Sequence, residues 1–131
     1  MLCPMAPDEL PPSNPSALGL HFADLEWRTL LALLDAEPYI LQVRVYGSRQ
    51  RGVRRPKDPP KPVDIDLAIQ VRPSYPGETP FTVLFDVKRR LNDSGYDLRL
   101  HIEDLTDSGS KYFADRQAGV LVLDRTATDE R

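Results

Sequence analysis

Apolar residues follow two spacings along this chain: the alternation typical of strands and the three- or four-residue spacing typical of helices. Strands are predicted over residues 39–46, 63–71, 96–102 and 120–124. Helices are predicted over residues 21–36, 79–91 and a short run that ends near residue 118, capped by Ser108 or Ser110. This order predicts an α/β or α+β domain, in which helices flank a small mixed sheet.

The 131 residues are predicted to form one domain with a tail at each end. Five prolines fall among the first 18 residues and disfavour both helix and sheet, so residues 1–18 are predicted to be a flexible tail. The folded domain is then residues 19–126, and residues 127–131 are a short C-terminal tail. A second proline-rich segment, 53–62, separates the first two strands and carries several basic residues.

Composition narrows the classes of protein that fit this chain. The net charge of -3 argues against a general nucleic-acid binder. No apolar run reaches the ~18 residues of a membrane-spanning helix, and the N-terminus lacks a secretory signal, so we expect a cytoplasmic protein with no membrane partner. The single cysteine, Cys3, lies in the predicted tail, which excludes an internal disulfide and disfavours a cysteine-based zinc site.

Two carboxylates share one face of the second predicted strand. Asp64 and Asp66 alternate with apolar residues, so both side chains point away from the apolar face. Neighbouring carboxylates repel each other, and Mg²⁺, which prefers oxygen ligands, relieves that repulsion. The first strand ends in Gly47 and Ser48, a turn whose N–H groups and hydroxyl suit a phosphate. A phosphate-binding turn beside a metal-binding pair indicates phosphoryl or nucleotidyl transfer.

A third carboxylate, Asp97, is predicted to join this pair. It lies on the strand predicted over residues 96–102, on the polar face that also carries His101. If the apolar faces of both strands pack against the helices, Asp97 emerges on the same side as Asp64 and Asp66. Three converging acids would form a two-metal site with the ions ~3.5–4 Å apart. We interpret His101 as a rim residue rather than a ligand.

These motifs resemble those of the minimal nucleotidyltransferases of the DNA polymerase β-like superfamily. The matching runs are V-Y-G-S-R-Q-R-G, V-D-I-D-L and Y-D-L, followed by a closing helix and strand in F-A-D-R-Q-A-G-V-L-V-L. The resemblance implies the polymerase β-like nucleotidyltransferase fold. It also implies transfer of a nucleoside monophosphate, AMP from ATP, to an acceptor hydroxyl with release of pyrophosphate.

The same resemblance implies roles for individual residues. The expected phosphate-binding residues are Gly47, Ser48, Arg49 and Arg51. The expected catalytic and metal-binding residues are Asp64, Asp66 and Asp97. The expected cofactor is a pair of Mg²⁺ ions, for which Mn²⁺ can substitute, and Asp97 is expected both to ligate one ion and to activate the acceptor hydroxyl.

The acceptor stays open at this point. Stand-alone members of the family are often antitoxins that nucleotidylate a HEPN ribonuclease toxin, so the resemblance implies such a partner. A small molecule or an RNA end are alternative acceptors, and a non-catalytic module that neutralises a partner by contact is the alternative outside enzymes. In the simplest interpretation the acidic face is a solvated sheet surface.

The segment between the two motifs departs from the family pattern. Fifteen residues separate Ser48 from Asp64, a longer insert than compact members are expected to have.

Overall fold

The computed structural model describes residues 15–50, 64–72, 79–95 and 97–126. The helices are α1 (Asp24–Asp35), α2 (Pro80–Ser94) and α3 (Phe113–Gln117), and the strands are β1 (Ile40–Tyr46), β2 (Ile65–Val71), β3 (Leu100–Asp104) and β4 (Val120–Asp124). Two 3₁₀ turns, Pro15–Leu18 and Gly47–Arg49, precede α1 and follow β1. The mixed α/β class and the predicted order of elements are confirmed.

The four strands form one mixed sheet in the order β3-β2-β1-β4. β1 is antiparallel to β2 and to β4, and β2 is parallel to β3. A parallel pair needs a crossover connection, and α2 supplies it between β2 and β3. No helix among the described residues is long and apolar enough to cross a membrane.

One face of the sheet is apolar and packs against α1 and α2. The fully buried side chains of this core come from alternate strand positions and from one stripe of each helix: Trp27, Leu30, Leu34, Ile40, Val43, Val45, Ile65, Leu67, Ile69, Val87 and Leu91. Burial of one such side chain contributes about 1.5–3 kcal/mol. The opposite face carries the polar positions of β2 and β3, and α3 packs on that side against β1.

The helix boundaries differ from the predicted ones for local reasons. α1 begins at Asp24 rather than at residue 21. The residue that precedes it, Ala23, donates its backbone N–H to the Glu26 carboxylate at 3.4 Å. α2 begins at Pro80 because the Thr79 hydroxyl accepts from Thr82 N at 3.2 Å. It then continues past the predicted end to Ser94.

Two further boundaries are corrected. β3 begins at Leu100 rather than residue 96. α3 begins at Phe113 after Tyr112, whose N–H donates to the Ser110 hydroxyl at 3.1 Å, so neither predicted serine is the cap. Residues Pro15–Leu18, which fall within the predicted tail, form a 3₁₀ turn in which Pro15 is buried. Residues 1–14, the insert 53–62 and the tail 127–131 lie outside the described residues.

Candidate functional site

The structure brings the Gly47–Ser48 turn directly against Asp66. The β1–β2 ladder pairs Tyr46 with Asp66, so the residue after Tyr46 lies beside that carboxylate. Gly47 has a φ of +77°, in the region that favours glycine. A Cβ at Gly47 would overlap Asp66 Oδ2 and lie 3.3 Å from Asp66 Cγ. Glycine is therefore needed here for the backbone conformation and for the close approach, and Ser48 sits half-buried in the same turn.

Asp64 lies one residue before β2 and faces the same side as Asp66. Its Oδ1 accepts a hydrogen bond from Arg99 Nε at 2.8 Å, and 40 % of its side chain is exposed. This hydrogen bond holds the pKa of Asp64 below its ordinary value. The carboxylate is therefore ionised at neutral pH, as a metal ligand must be.

The residue of β3 that lies next to Asp66 is His101. The parallel register pairs Asp66 with His101, and Nδ1 of the imidazole is 3.6 Å from Asp66 Oδ1. His101 is largely exposed, whereas the Asp66 side chain is mostly enclosed. His101 thus lies closer to the carboxylate pair than its interpretation as a rim residue implied, and it places an imidazole nitrogen there.

Asp97 does not take the predicted position on a strand. It lies in an exposed turn before β3, where Leu98 N donates to Gly95 O at 2.8 Å. The described residues contain no group of three or more His, Cys, Asp or Glu side chains placed to hold a metal ion. The structure therefore places Asp66 against the Gly47 turn and Asp64 two residues before it, with Asp97 in the turn that precedes β3.

Arg49 occupies a buried position rather than an open phosphate site. Its side chain is only 4 % exposed, and its guanidinium donates to both oxygens of Glu26 at 2.6 and 2.9 Å. The same group donates to His21 O at 3.1 Å and to Asp64 O at 3.3 Å, and it stacks over the ring of Phe22. In the structure Arg49 ties α1 to the residue that precedes β2, and its contact with phosphate stays a prediction. Arg51 lies outside the described residues.

Arg116 is a site residue that the sequence pattern did not single out. It is buried on α3, and its Nε donates to the Tyr46 hydroxyl at 3.4 Å. Its Nη2 lies 3.9 Å from a Glu103 carboxylate oxygen. Burial raises the pKa of Tyr46, and the hydrogen bond from Arg116 opposes that shift. Arg116 thus places a cation on the polar face beside β1, and no pattern in the sequence of α3 signals this.

The donor set fits one divalent cation better than two. Asp64 and Asp66 supply the hard oxygen ligands that Mg²⁺ prefers, and the Asp66 side chain lies directly against the backbone of Gly47. Each carboxylate is approached by a cation or a potential cation, Arg99 and His101, as expected where negative charge is concentrated. Comparison of the chain with protein-family models, curated proteins and solved structures found no match.

Proposed function

We propose that this protein is a Mg²⁺-dependent nucleotidyltransferase, which transfers a nucleoside monophosphate from a nucleoside triphosphate to an acceptor hydroxyl. The observation that carries the proposal is the packing of Gly47 against the Asp66 carboxylate. A triphosphate that approaches the backbone of this turn reaches a carboxylate pair at the same point. A sheet face exposed only to water would not require glycine at position 47, where both the positive φ angle and the nearby Asp66 carboxylate disfavour a Cβ.

In this proposal the chain mainly positions and neutralises charge. Asp64 and Asp66 hold the divalent cation, which when bound neutralises charge on the triphosphate. Gly47 and Ser48 orient the phosphates through the backbone and the hydroxyl. The acceptor oxygen bonds to the α-phosphorus while the bond from that phosphorus to pyrophosphate breaks, and the acceptor proton passes to a base. The resemblance assigns the base to Asp97, and His101, whose Nδ1 lies 3.6 Å from Asp66 Oδ1, is a second candidate.

The nucleotide and the acceptor follow from the resemblance. ATP is the proposed donor, and a HEPN toxin is the proposed acceptor, which would make the protein an antitoxin. Arg49 serves this function indirectly, because its hydrogen bond to Asp64 O fixes the backbone that carries the first carboxylate.

The test compares two glycines with the same backbone conformation. Gly47 and Gly19 have φ angles of +77° and +76°, but a Cβ at Gly19 meets no atom within 4 Å. Gly47→Ala and Gly19→Ala should therefore incur a similar cost in backbone strain, of about 1 kcal/mol. Only Gly47→Ala displaces Asp66, so only it should weaken ATP binding in the presence of Mg²⁺, measured by calorimetry. Equal ATP affinity in the two variants, or in wild type with and without Mg²⁺, would contradict the proposal.

A contact-only module that neutralises a partner is the second candidate. The position of Asp97 outside β3 and the pairing of Asp64 with Arg99 favour it. Label transfer from ATP to a candidate toxin separates the two functions, with Asp97→Asn and His101→Gln as the variants. Loss of transfer with retained ATP binding in either variant supports the enzyme and identifies the base. Full protection against the toxin by Asp66→Asn would support the module.

A further inference from the structure

The outer edge of β3 is open among the described residues. β3 is the last strand on its side of the sheet and pairs with β2 alone. Arg99 O accepts from Ile65 N at 2.7 Å, and Leu105 N donates to Ile69 O at 3.0 Å, so the odd-numbered positions bond toward β2. The even-numbered positions, with Ile102 at the centre of the strand, direct their backbone groups outward. An unpaired edge of this kind is a template for another strand.

A groove beside this edge is lined by exposed aromatic side chains of α2. Phe81 and Phe85 lie one helical turn apart and are 76 % and 60 % exposed. With Ile102 and Glu103 they line a groove of about 440 Å³ between α2 and β3. Exposed apolar side chains clustered at one site commonly mark an interaction surface. A strand added to β3 would continue the sheet beneath both aromatic rings and cover them.

The charges along β3 match those of a second, antiparallel β3. Arg99 immediately precedes the strand and His101 lies near its start, whereas Glu103 and Asp104 lie at its end. In an antiparallel pair centred on Ile102, His101 lies opposite Glu103 of the other copy, and symmetry makes this pair twice. Arg99 lies diagonal to the same carboxylate, within reach of a long side chain. A partner strand whose charges were all of one sign would complement the charges of only half of β3.

We infer that this protein forms a symmetric dimer through antiparallel pairing of its two β3 strands, centred on Ile102. The two-fold axis is then perpendicular to the sheet, so both copies of α2 lie on one side of an eight-stranded sheet. Phe81 and Phe85 of both copies face each other across the seam. The two Asp66 positions lie on the opposite side, three strand spacings apart across the sheet and two residues apart along it, which is about 16 Å. This inference does not rest on the proposed nucleotidyltransferase function.

The first experiment measures molar mass by light scattering over a range of protein concentrations. Wild type should reach twice the 14.8 kDa of one chain. The double variant Phe81→Glu/Phe85→Glu should stay at 14.8 kDa. Leu25→Glu is the matched control, because Leu25 is a 71 % exposed apolar residue on α1, and it should leave the dimer intact. A wild-type monomer at every concentration would overturn the inference, as would a dimer that survives the double variant.

The second experiment tests the register by cross-linking, with Cys3 replaced by Ser throughout. Positions 101 and 103 face each other as a non-hydrogen-bonded pair, for which the Cα atoms lie about 4.5 Å apart, within the disulfide range. A mixture of His101→Cys and Glu103→Cys chains should therefore form a disulfide-linked dimer, and each variant alone should cross-link much more slowly. Equal rates in all three samples would refute this register. Binding of an extended foreign peptide by a monomeric wild type would assign the groove to a different occupant.

Discussion

The buried pair between Arg49 and Glu26 gives a prediction with a worked magnitude. Glu26→Ala removes the carboxylate that accepts two hydrogen bonds from the Arg49 guanidinium. Removing one partner of a buried ion pair costs about 3–5 kcal/mol. Arg49 is 4 % exposed but Glu26 is 26 % exposed, so water partly replaces the lost carboxylate. We therefore expect a loss of about 2–3 kcal/mol in the free energy of unfolding.

Urea unfolding followed by circular dichroism measures this loss, and Asp24→Ala is the control. Asp24 is exposed in the same first turn of α1, so its removal tests the interaction of a carboxylate with the helix dipole alone, about 0.3–1 kcal/mol. The double variant Glu26→Leu/Arg49→Met should recover most of the stability, because it removes both charges together. A Glu26→Ala variant no less stable than Asp24→Ala would refute the reasoning.

The same pair decides what Arg49 does. Arg49→Met should lower stability and leave the ATP affinity of the folded protein nearly unchanged, because the guanidinium contacts Glu26, His21 O and Asp64 O. A phosphate ligand would behave in the opposite way, with a large loss of ATP affinity at unchanged stability. Calorimetry with ATP and urea unfolding on one preparation distinguish the two results.

Two further predictions follow from the geometry. The Asp64–Arg99 pair stabilises the fold by no more than about 1 kcal/mol, because Asp64 is 40 % exposed. Because the pKa of Asp64 is lowered in the folded state, the pair contributes fully above the unfolded-state pKa of about 3.9, and its contribution is lost as the pH falls through the folded-state pKa. The unfolding curves of wild type and Arg99→Gln should therefore converge in acid. Gly119→Ala should cost about 1–3 kcal/mol, since its Cβ would lie 2.8 Å from Val45 O. Gly109→Ala, with only an ordinary 3.5 Å neighbour, should be nearly neutral in the same assay.

The alternation of β2 is the part of the site that the sequence could predict. Apolar residues at every second position bury one face of the strand, and Asp64 and Asp66 must then share the other. The approach of Gly47 to Asp66 agrees with the tendency of consecutive strands to lie side by side, since the register sets Tyr46 opposite Asp66. Both inferences use only periodicity and the proximity of consecutive strands.

The burial of Arg49 could not be predicted in this way. It depends on where α1 docks, since Glu26 and His21 O enclose the guanidinium from a segment 23 and 28 residues away. A basic residue after a Gly-Ser turn looks the same in sequence whether it faces solvent, phosphate or a carboxylate. The partner of such a residue is set by tertiary packing, which periodicity does not contain.

The start of β3 decides whether Asp97 belongs to the site, and the local pattern leaves that start open. Polar and apolar residues alternate without a break from Asp97 to Ile102, so any start within this run fits the pattern. Among the residues that the structure describes, the earliest bond between β2 and the segment that leads into β3 joins Ile65 N to Arg99 O. A strand that began at Asp97 would carry its side chain on the face shared with His101, which is the residue paired with Asp66. The start of β3 therefore decides between a two-carboxylate and a three-carboxylate site, and the Asp97→Asn variant measures which of the two sites acts in solution.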